Sequence, residues 1–226
     1  MELNAYDLAW CVRRLPHKLR ELMKQENIIV SGGYVRASIL NEPINDVDLF
    51  TNDKSYAKEL ALEIVEGKEK KLKISDNAIT IIGFKHTIQF ITRWTYEKPQ
   101  DIIASFDFTI CQASFWWDHY CTKWCSFCSD SFYQDLAAKR LIYTEPIREE
   151  EPGGSMLRIL KYYQKGYKIT LDSLSRVITR LASGVRYDEI MVDRGDELNT
   201  GQFQKVIKGL LREVDPNIDP DHIIHE

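Results

Sequence analysis

The run Asp46-Val47-Asp48-Leu49-Phe50 sets two carboxylates two residues apart where acidic and apolar residues alternate. Successive side chains on a β-strand point to opposite faces, so Asp46 and Asp48 share one face and can present both carboxylates to the same ions. Magnesium takes carboxylate oxygens. Transfer of a nucleoside monophosphate uses two such ions roughly 3.5–4 Å apart, one activating the attacking oxygen and one gripping the triphosphate. Asp107, at the head of the β-rich run 107–115, is the candidate for a third ligand from a neighbouring strand. Upstream, Ser31-Gly32-Gly33 ends the apolar run 27–30 and opens a helical segment, 34–40. Backbone N–H groups there can approach phosphate oxygens, because glycine has no Cβ and a helix start carries partial positive charge. Each feature also has a plainer reading: a solvated strand face produces Asp-x-Asp, and Gly-Gly after a strand is also an ordinary turn. Order and spacing together (strand, glycine turn, helix, acidic strand) favour the phosphate chemistry.

These residues need a sheet and helices to position them. Residues 6–25 carry Leu8, Val12, Leu15, Leu19 and Leu22 at helical spacing interrupted by Pro16, which predicts one kinked helix or two short ones. Residues 53–65 form an amphipathic helix, and the β-rich runs 78–84 and 87–92 form a hairpin linked by Lys85-His86. A brief helical piece follows Pro99 and leads into the expected strand 107–115. Residues 156–167 read as a helix with Met156, Leu160, Tyr163 and Tyr167 on one side and the basic stripe Arg158, Lys161, Lys165 on another. Segments 173–181 and 202–214 complete a helical C-terminal part. The glycine-rich EEEPGGS, residues 149–155, marks the expected boundary between a catalytic part, 1–148, and a helical part, 149–226.

Three blocks carry a family resemblance. SGGYVRASILNEPINDVDLFT resembles the signature of the class II tRNA nucleotidyltransferase and bacterial poly(A) polymerase family, within the polymerase-β-like superfamily: Gly32, Gly33 and Arg36 match Gly-Gly-x-x-Arg, and Asp46 and Asp48 match Asp-x-Asp. FDFTICQA resembles the family's Asp-Phe-Thr-Ile-Asn-Ala strand through Asp107, Phe108, Thr109, Ile110 and Ala113. QDLAAKRLIYTEPI and SMLRILKYYQKGYKI resemble the passage into its neck helix, with Leu157, Arg158, Ile159, Leu160, Gly166 and Tyr167 on the pattern. The resemblance implies an α+β fold, a mixed β-sheet nucleotidyltransferase head flanked by helices and followed by a small helical neck. It implies a magnesium-dependent nucleotidyltransferase with Asp46, Asp48 and Asp107 as catalytic carboxylates holding two Mg2+ ions. Ser31, Gly32, Gly33, Arg36 and Arg158 become nucleotide contacts, the donor a nucleoside triphosphate, and the acceptor an RNA or tRNA 3′ end.

The departures point elsewhere. Two arginines that help hold the nucleotide in the family are Ser105 and Phe106 here, and the acidic pair that reads the base is Gly154 and Ser155. Arg158 alone offers donors and no acceptor, so selection of C and A over U and G is expected to be weak. The residues after Ile169 are not expected to supply all of the family's tRNA-gripping body and tail. A protein or small-molecule acceptor is therefore the second reading, and a catalytically silent binding module the third.

Composition narrows the setting. The 226 residues suffice for one enlarged domain or a catalytic domain with a smaller one, and 44% apolar with 28% charged residues is ordinary for a folded chain. A net charge of −4 supplies no overall field for nucleic acid, so any such site is local. No apolar run reaches the roughly 18 residues of a membrane helix, and the start lacks the basic-then-apolar order of a signal peptide. Five cysteines, an odd number, suit a reducing compartment. The expectation is a cytoplasmic protein with no membrane partner. Cys121, Cys125 and Cys128, with His119, offer a zinc ligand set, against the simpler reading of reduced thiols. Trp116, Trp117, Tyr120 and Trp124 either stack bases or cover a hairpin.

Overall fold

A computed structural model describes residues 1–66, 71–146, 153–185 and 199–212. The chain divides into two compact units, Met1–Ala138 and Lys139–Glu226.

The first unit is an α+β structure built on a seven-stranded mixed sheet. Two short helices precede it: α1, Ala5–Arg14, and α2, His17–Met23. Asn4 caps α1 by accepting the Tyr6 N–H at 2.9 Å. Leu15 turns extended ahead of Pro16, from which α2 starts, as the steric restriction on a residue before proline demands. Strand β1, Ile29–Ser31, passes through Gly32 into α3, Gly33–Ile39. Then come β2, Asp46–Phe50, and α4, Lys54–Ile64. Asp53 caps α4 through the Tyr56 N–H at 2.8 Å, and Ala57, Leu60, Ala61 and Ile64 form its buried stripe. Strands β3, Leu72–Ile74, β4, Ala78–Ile81, and β5, Thr87–Ile91, form an antiparallel meander. Helix α5, Pro99–Ala104, leads to a 3-10 turn, Thr109–Cys111, and the hairpin of β6, Ala113–Asp118, and β7, Lys123–Cys128; α6, Phe132–Ala137, closes the unit.

Strand order is β3-β4-β5-β2-β1-β6-β7. Within this sheet β2 and β5 pair in parallel, and the other neighbouring pairs are antiparallel. Register then sorts the residues into rows across the sheet. One row, Ile79, Phe90, Leu49, Val30 and Phe115, is almost wholly buried and forms the core layer. The next row, displaced by one residue and so on the other face, is Thr80, Gln89, Asp48, Ser31 and Ser114. A row of polar groups thus crosses the centre of the sheet.

One expected strand is not continuous. The stretch 107–115 breaks after Phe108: the Cys111 and Gln112 N–H groups turn back to the Phe108 and Thr109 carbonyls, and the strand starts only at Ala113. Thr109 fixes the turn by donating its hydroxyl to buried Asp135 at 2.7 Å.

The second unit pairs β8, Arg140–Leu141, in parallel with β9, Lys168–Ile169, and carries α7, Gly153–Gln164, α8, Leu171–Ser183, and α9, Thr200–Arg212. Both α8 and α9 pack on α7. The buried face of α7 differs from the expected one. Ser155, Ile159 and Tyr162 are inside, whereas Leu160 and Tyr163 are 44% and 72% exposed. Tyr167, past the helix end, is buried and stacks on Tyr162 with centroids 5.6 Å apart. Residues 149–152 of the expected boundary lie outside the described residues, and Gly153-Gly154-Ser155 is the first turn of α7.

Candidate functional site

Asp46 and Asp48 stand on β2, half-buried on one face, while Val47 and Leu49 between and beyond them are buried on the other. Flanking positions on that face are neutral: Thr87 and Gln89 on β5 lie beside Asp46 and Asp48, and Ser31 on β1 lies beside Asp48. Ser31 is fully buried and donates its hydroxyl to the Ala113 carbonyl at 2.9 Å, so its side chain fastens β1 to β6. Phe50, two residues beyond Asp48, meets Phe106 edge-on and Tyr96 at a tilt, each with centroids 6.2 Å apart. An aromatic group therefore flanks the acidic pair.

The glycine turn is built by close packing. Gly32 has φ +79°, and a Cβ there would come within 2.9 Å of Phe106 Cζ, so both the backbone and the ring exclude a side chain. Its N–H is donated to the Ala113 carbonyl at 3.1 Å. Gly33 is the first residue of α3, and a Cβ there would meet only the Arg36 guanidinium, at 3.8 Å.

Arg36 is buried, 5% exposed, rather than projecting from the turn. It forms an ion pair with Glu42, Nε to Oε2 at 3.5 Å without hydrogen-bond geometry, and donates from Nη1 to Cys111 Sγ at 3.6 Å. These contacts tie α3 to the loop before β2 and to the 3-10 turn. Ser105, also buried, donates to the Ile102 carbonyl at 2.6 Å and ends α5. Where the resemblance leads one to expect two arginines, Ser105 closes a helix and Phe106 packs the glycine turn. Arg158 sits half-buried on α7 of the second unit.

Magnesium commonly uses one or two carboxylates together with substrate phosphate oxygens, so the Asp46–Asp48 pair has the donor chemistry for a cation carried by a phosphate. Asp107 stands outside their strand. It precedes the 3-10 turn, is 2% exposed, and is not on a strand beside β2. Among the described residues no three His, Cys, Asp or Glu side chains are grouped so as to hold a metal ion. The zinc expectation fails for the same reason. Cys125 and Cys128 are three apart on β7, opposite Trp116 and Ala113, and so face opposite sides of the sheet. Cys121 is exposed in the turn with His119, where its N–H is donated to Asp118 at 2.8 Å and holds that carboxyl below its usual range. Trp117 and Trp124 stack edge-on at 5.4 Å across the hairpin, with Lys24 over Trp117 at 5.9 Å, while Tyr120 is 96% exposed.

The sheet order, the glycine turn and the acidic strand define a nucleotidyltransferase-type fold. Over 99% of this chain it matches the structure of a Thermotoga maritima CCA-adding enzyme complexed with tRNA, at TM-score 0.56, 15% identity and 58% of that chain. CCA-adding enzymes in complex with CTP and with ATP match over the same 99%, at TM-scores 0.55 and 0.53 with 17% and 15% identity, over 52% and 59% of those chains. At such identities the likeness establishes the fold alone. By sequence, residues 3–139 match the model of the Gabija anti-defense 2 family, and the chain belongs to that family. A relative in Bacillus phage SPbetaL7, named Gabija anti-defense 2, is 23% identical over 205 residues, covering 81% of this chain and 48% of the relative. The chain thus spans about half the length of the curated relative it matches. No described helix is long and apolar enough to cross a membrane.

Proposed function

We propose that this protein counters the Gabija defence with a nucleotidyltransferase-fold unit that binds a cation–nucleoside triphosphate at Asp46 and Asp48 and transfers the nucleoside monophosphate to a component of that defence. The carrying observation is the pairing of the two carboxylates on one face of β2, at the centre of the sheet. A divalent cation there would neutralise triphosphate charge and polarise the α-phosphate. Asp46 and Asp48 would hold the cation, and the Phe50–Phe106–Tyr96 group walls one side of the site. An acceptor hydroxyl forms the new O–P bond at the α-phosphorus as the bond to the bridging oxygen breaks, releasing pyrophosphate and the hydroxyl proton. Positioning and charge neutralisation supply most of such a rate enhancement.

The acceptor is proposed to be a protein or nucleic acid of the defence, acted on in the cytoplasm of the infected cell; an RNA 3′ end is the other acceptor class. A second reading, sequestration of a nucleotide or partner without transfer, draws support from Asp107 lying off the sheet and from Arg36 being buried in an ion pair. Incubation with each α-labelled triphosphate, magnesium and extracts of cells with or without Gabija separates them. Label entering a macromolecule only in the Gabija extract supports transfer. Tight triphosphate binding without label transfer supports sequestration, and the absence of both binding and transfer removes the site.

A further inference from the structure

Gln89 carries an inference about the same face of the sheet, and it rests on the reading of Asp46 and Asp48 given above. In the parallel register of β2 and β5, Gln89 is the direct neighbour of Asp48. Strands in a sheet lie about 4.8 Å apart, so a side chain at position 89 is the one from β5 that faces whatever Asp48 holds. Gln89 is half-buried, and its amide nitrogen donates to Thr80 Oγ1 at 3.3 Å on β4, the strand away from Asp48. The amide is thereby held by its nitrogen, which leaves its oxygen as the group available to a ligand on the β2 side. A carboxylate at this position would add a third negative charge one strand over from Asp48. An amide supplies an oxygen and no charge.

The remaining neighbours agree. Thr87 beside Asp46 and Ser31 beside Asp48 are neutral, and Asp107 is off the sheet. Affinity of an oxygen site for a hard cation is set largely by ligand charge and number. Triphosphate oxygens would complete the shell of a cation held by Asp46 and Asp48.

We propose that Gln89 is the affinity-setting residue of this site: by placing an uncharged amide where a carboxylate would add to Asp46 and Asp48, it makes the site select a cation already complexed to a nucleoside triphosphate over the free cation. The nucleotide therefore delivers the metal, and the face stays unloaded in cellular magnesium until a triphosphate arrives.

Free Mn2+, which takes magnesium sites and is counted by electron paramagnetic resonance, tests this on the full chain. In parallel, a non-hydrolysable triphosphate analogue is titrated calorimetrically with Mn2+ present. The wild type should bind free Mn2+ weakly and bind the analogue only with Mn2+. Gln89→Glu should bind free Mn2+ roughly tenfold or more tightly than wild type, and adding Asp48→Asn should remove that gain. Should Gln89→Glu fail to fold, Gln89→Asp carries the same expectation without depending on the Thr80 contact. Free-Mn2+ affinity unchanged in the carboxylate variant, with metal-dependent analogue binding intact in wild type, overturns the role of Gln89 alone. No metal-dependent analogue binding in wild type, and no effect of Asp48→Asn, overturns the underlying reading as well.

Discussion

Replacing Gly32 by alanine tests the packing that shapes the candidate site. Gly32 sits at φ +79° and ψ −138°, a region almost confined to glycine, where an L side chain costs about 1–3 kcal/mol. The new Cβ would stand 2.9 Å from Phe106 Cζ and 3.0 Å from Cε1, so the ring must shift against Phe50, an overpacking cost of typically about 1–3 kcal/mol. Together the variant should lose about 2–6 kcal/mol, at least a thirtyfold change in the folded-to-unfolded ratio. Gly33→Ala is the matched control. Its Cβ meets nothing closer than 3.8 Å and gains helix propensity, so it should be neutral or stabilising by up to about 1 kcal/mol. Trp10, Trp94, Trp116, Trp117 and Trp124 all fall within Met1–Ala138, so tryptophan fluorescence during urea denaturation reads that unit. Adding Phe106→Leu to Gly32→Ala should recover part of the loss, with a coupling of at least about 1 kcal/mol. A Gly32→Ala variant within about 0.5 kcal/mol of wild type, or a Gly33→Ala variant equally damaged, would mean that the Gly32–Phe106 packing does not constrain this turn.

Thr109→Val should cost about 1–3 kcal/mol in the same denaturation assay, because it takes a 2.7 Å hydrogen bond from the buried Asp135 carboxylate; an unchanged midpoint would contradict this. Native alkylation followed by mass spectrometry should modify exposed Cys121 first and leave buried Cys11 last, since burial pushes the Cys11 thiol up to about 12, and zinc titration should reveal no tight site at the three hairpin cysteines. The folded state holds the Cys11 proton more tightly than the unfolded chain, whose thiol titrates near 9.0, so this stability is complete below that pH and falls as pH rises toward about 12. Cys11→Ala should show a shallower alkaline decline in unfolding free energy than wild type; equal slopes would remove burial of this thiol as a cause.

Much of the first unit was legible because its elements carry local signals. Alternation around Asp46 and Asp48 specified strand and face together, Pro16 split the first helix, and Asp53 marked the start of α4. The Asp107 segment misled because Asp-Phe-Thr-Ile alternates like a strand, while its 3-10 turn is fixed by a partner 26 residues on, Asp135 bonded to Thr109. Arg36 matched a motif, but its burial depends on Glu42 and Cys111, whose proximity no local spacing reveals. On α7, two apolar stripes were available, and packing by α8 and α9 buried Ile159 and Tyr162 instead of Leu160 and Tyr163. Gln89 went unnoticed within an apolar run, and only the parallel register of β5 with β2 brings it beside Asp48.

Protection of phage in cells carrying the Gabija defence measures the central claim most directly, comparing wild type with the Asp46→Asn/Asp48→Asn variant at matched expression. These half-buried strand positions should tolerate the near-isosteric amides, so the variant should keep the wild-type circular dichroism spectrum and unfolding midpoint. The variant should lose at least tenfold in phage plating efficiency. Full protection by a folded Asp46→Asn/Asp48→Asn protein would contradict the assignment of this strand face as the functional site.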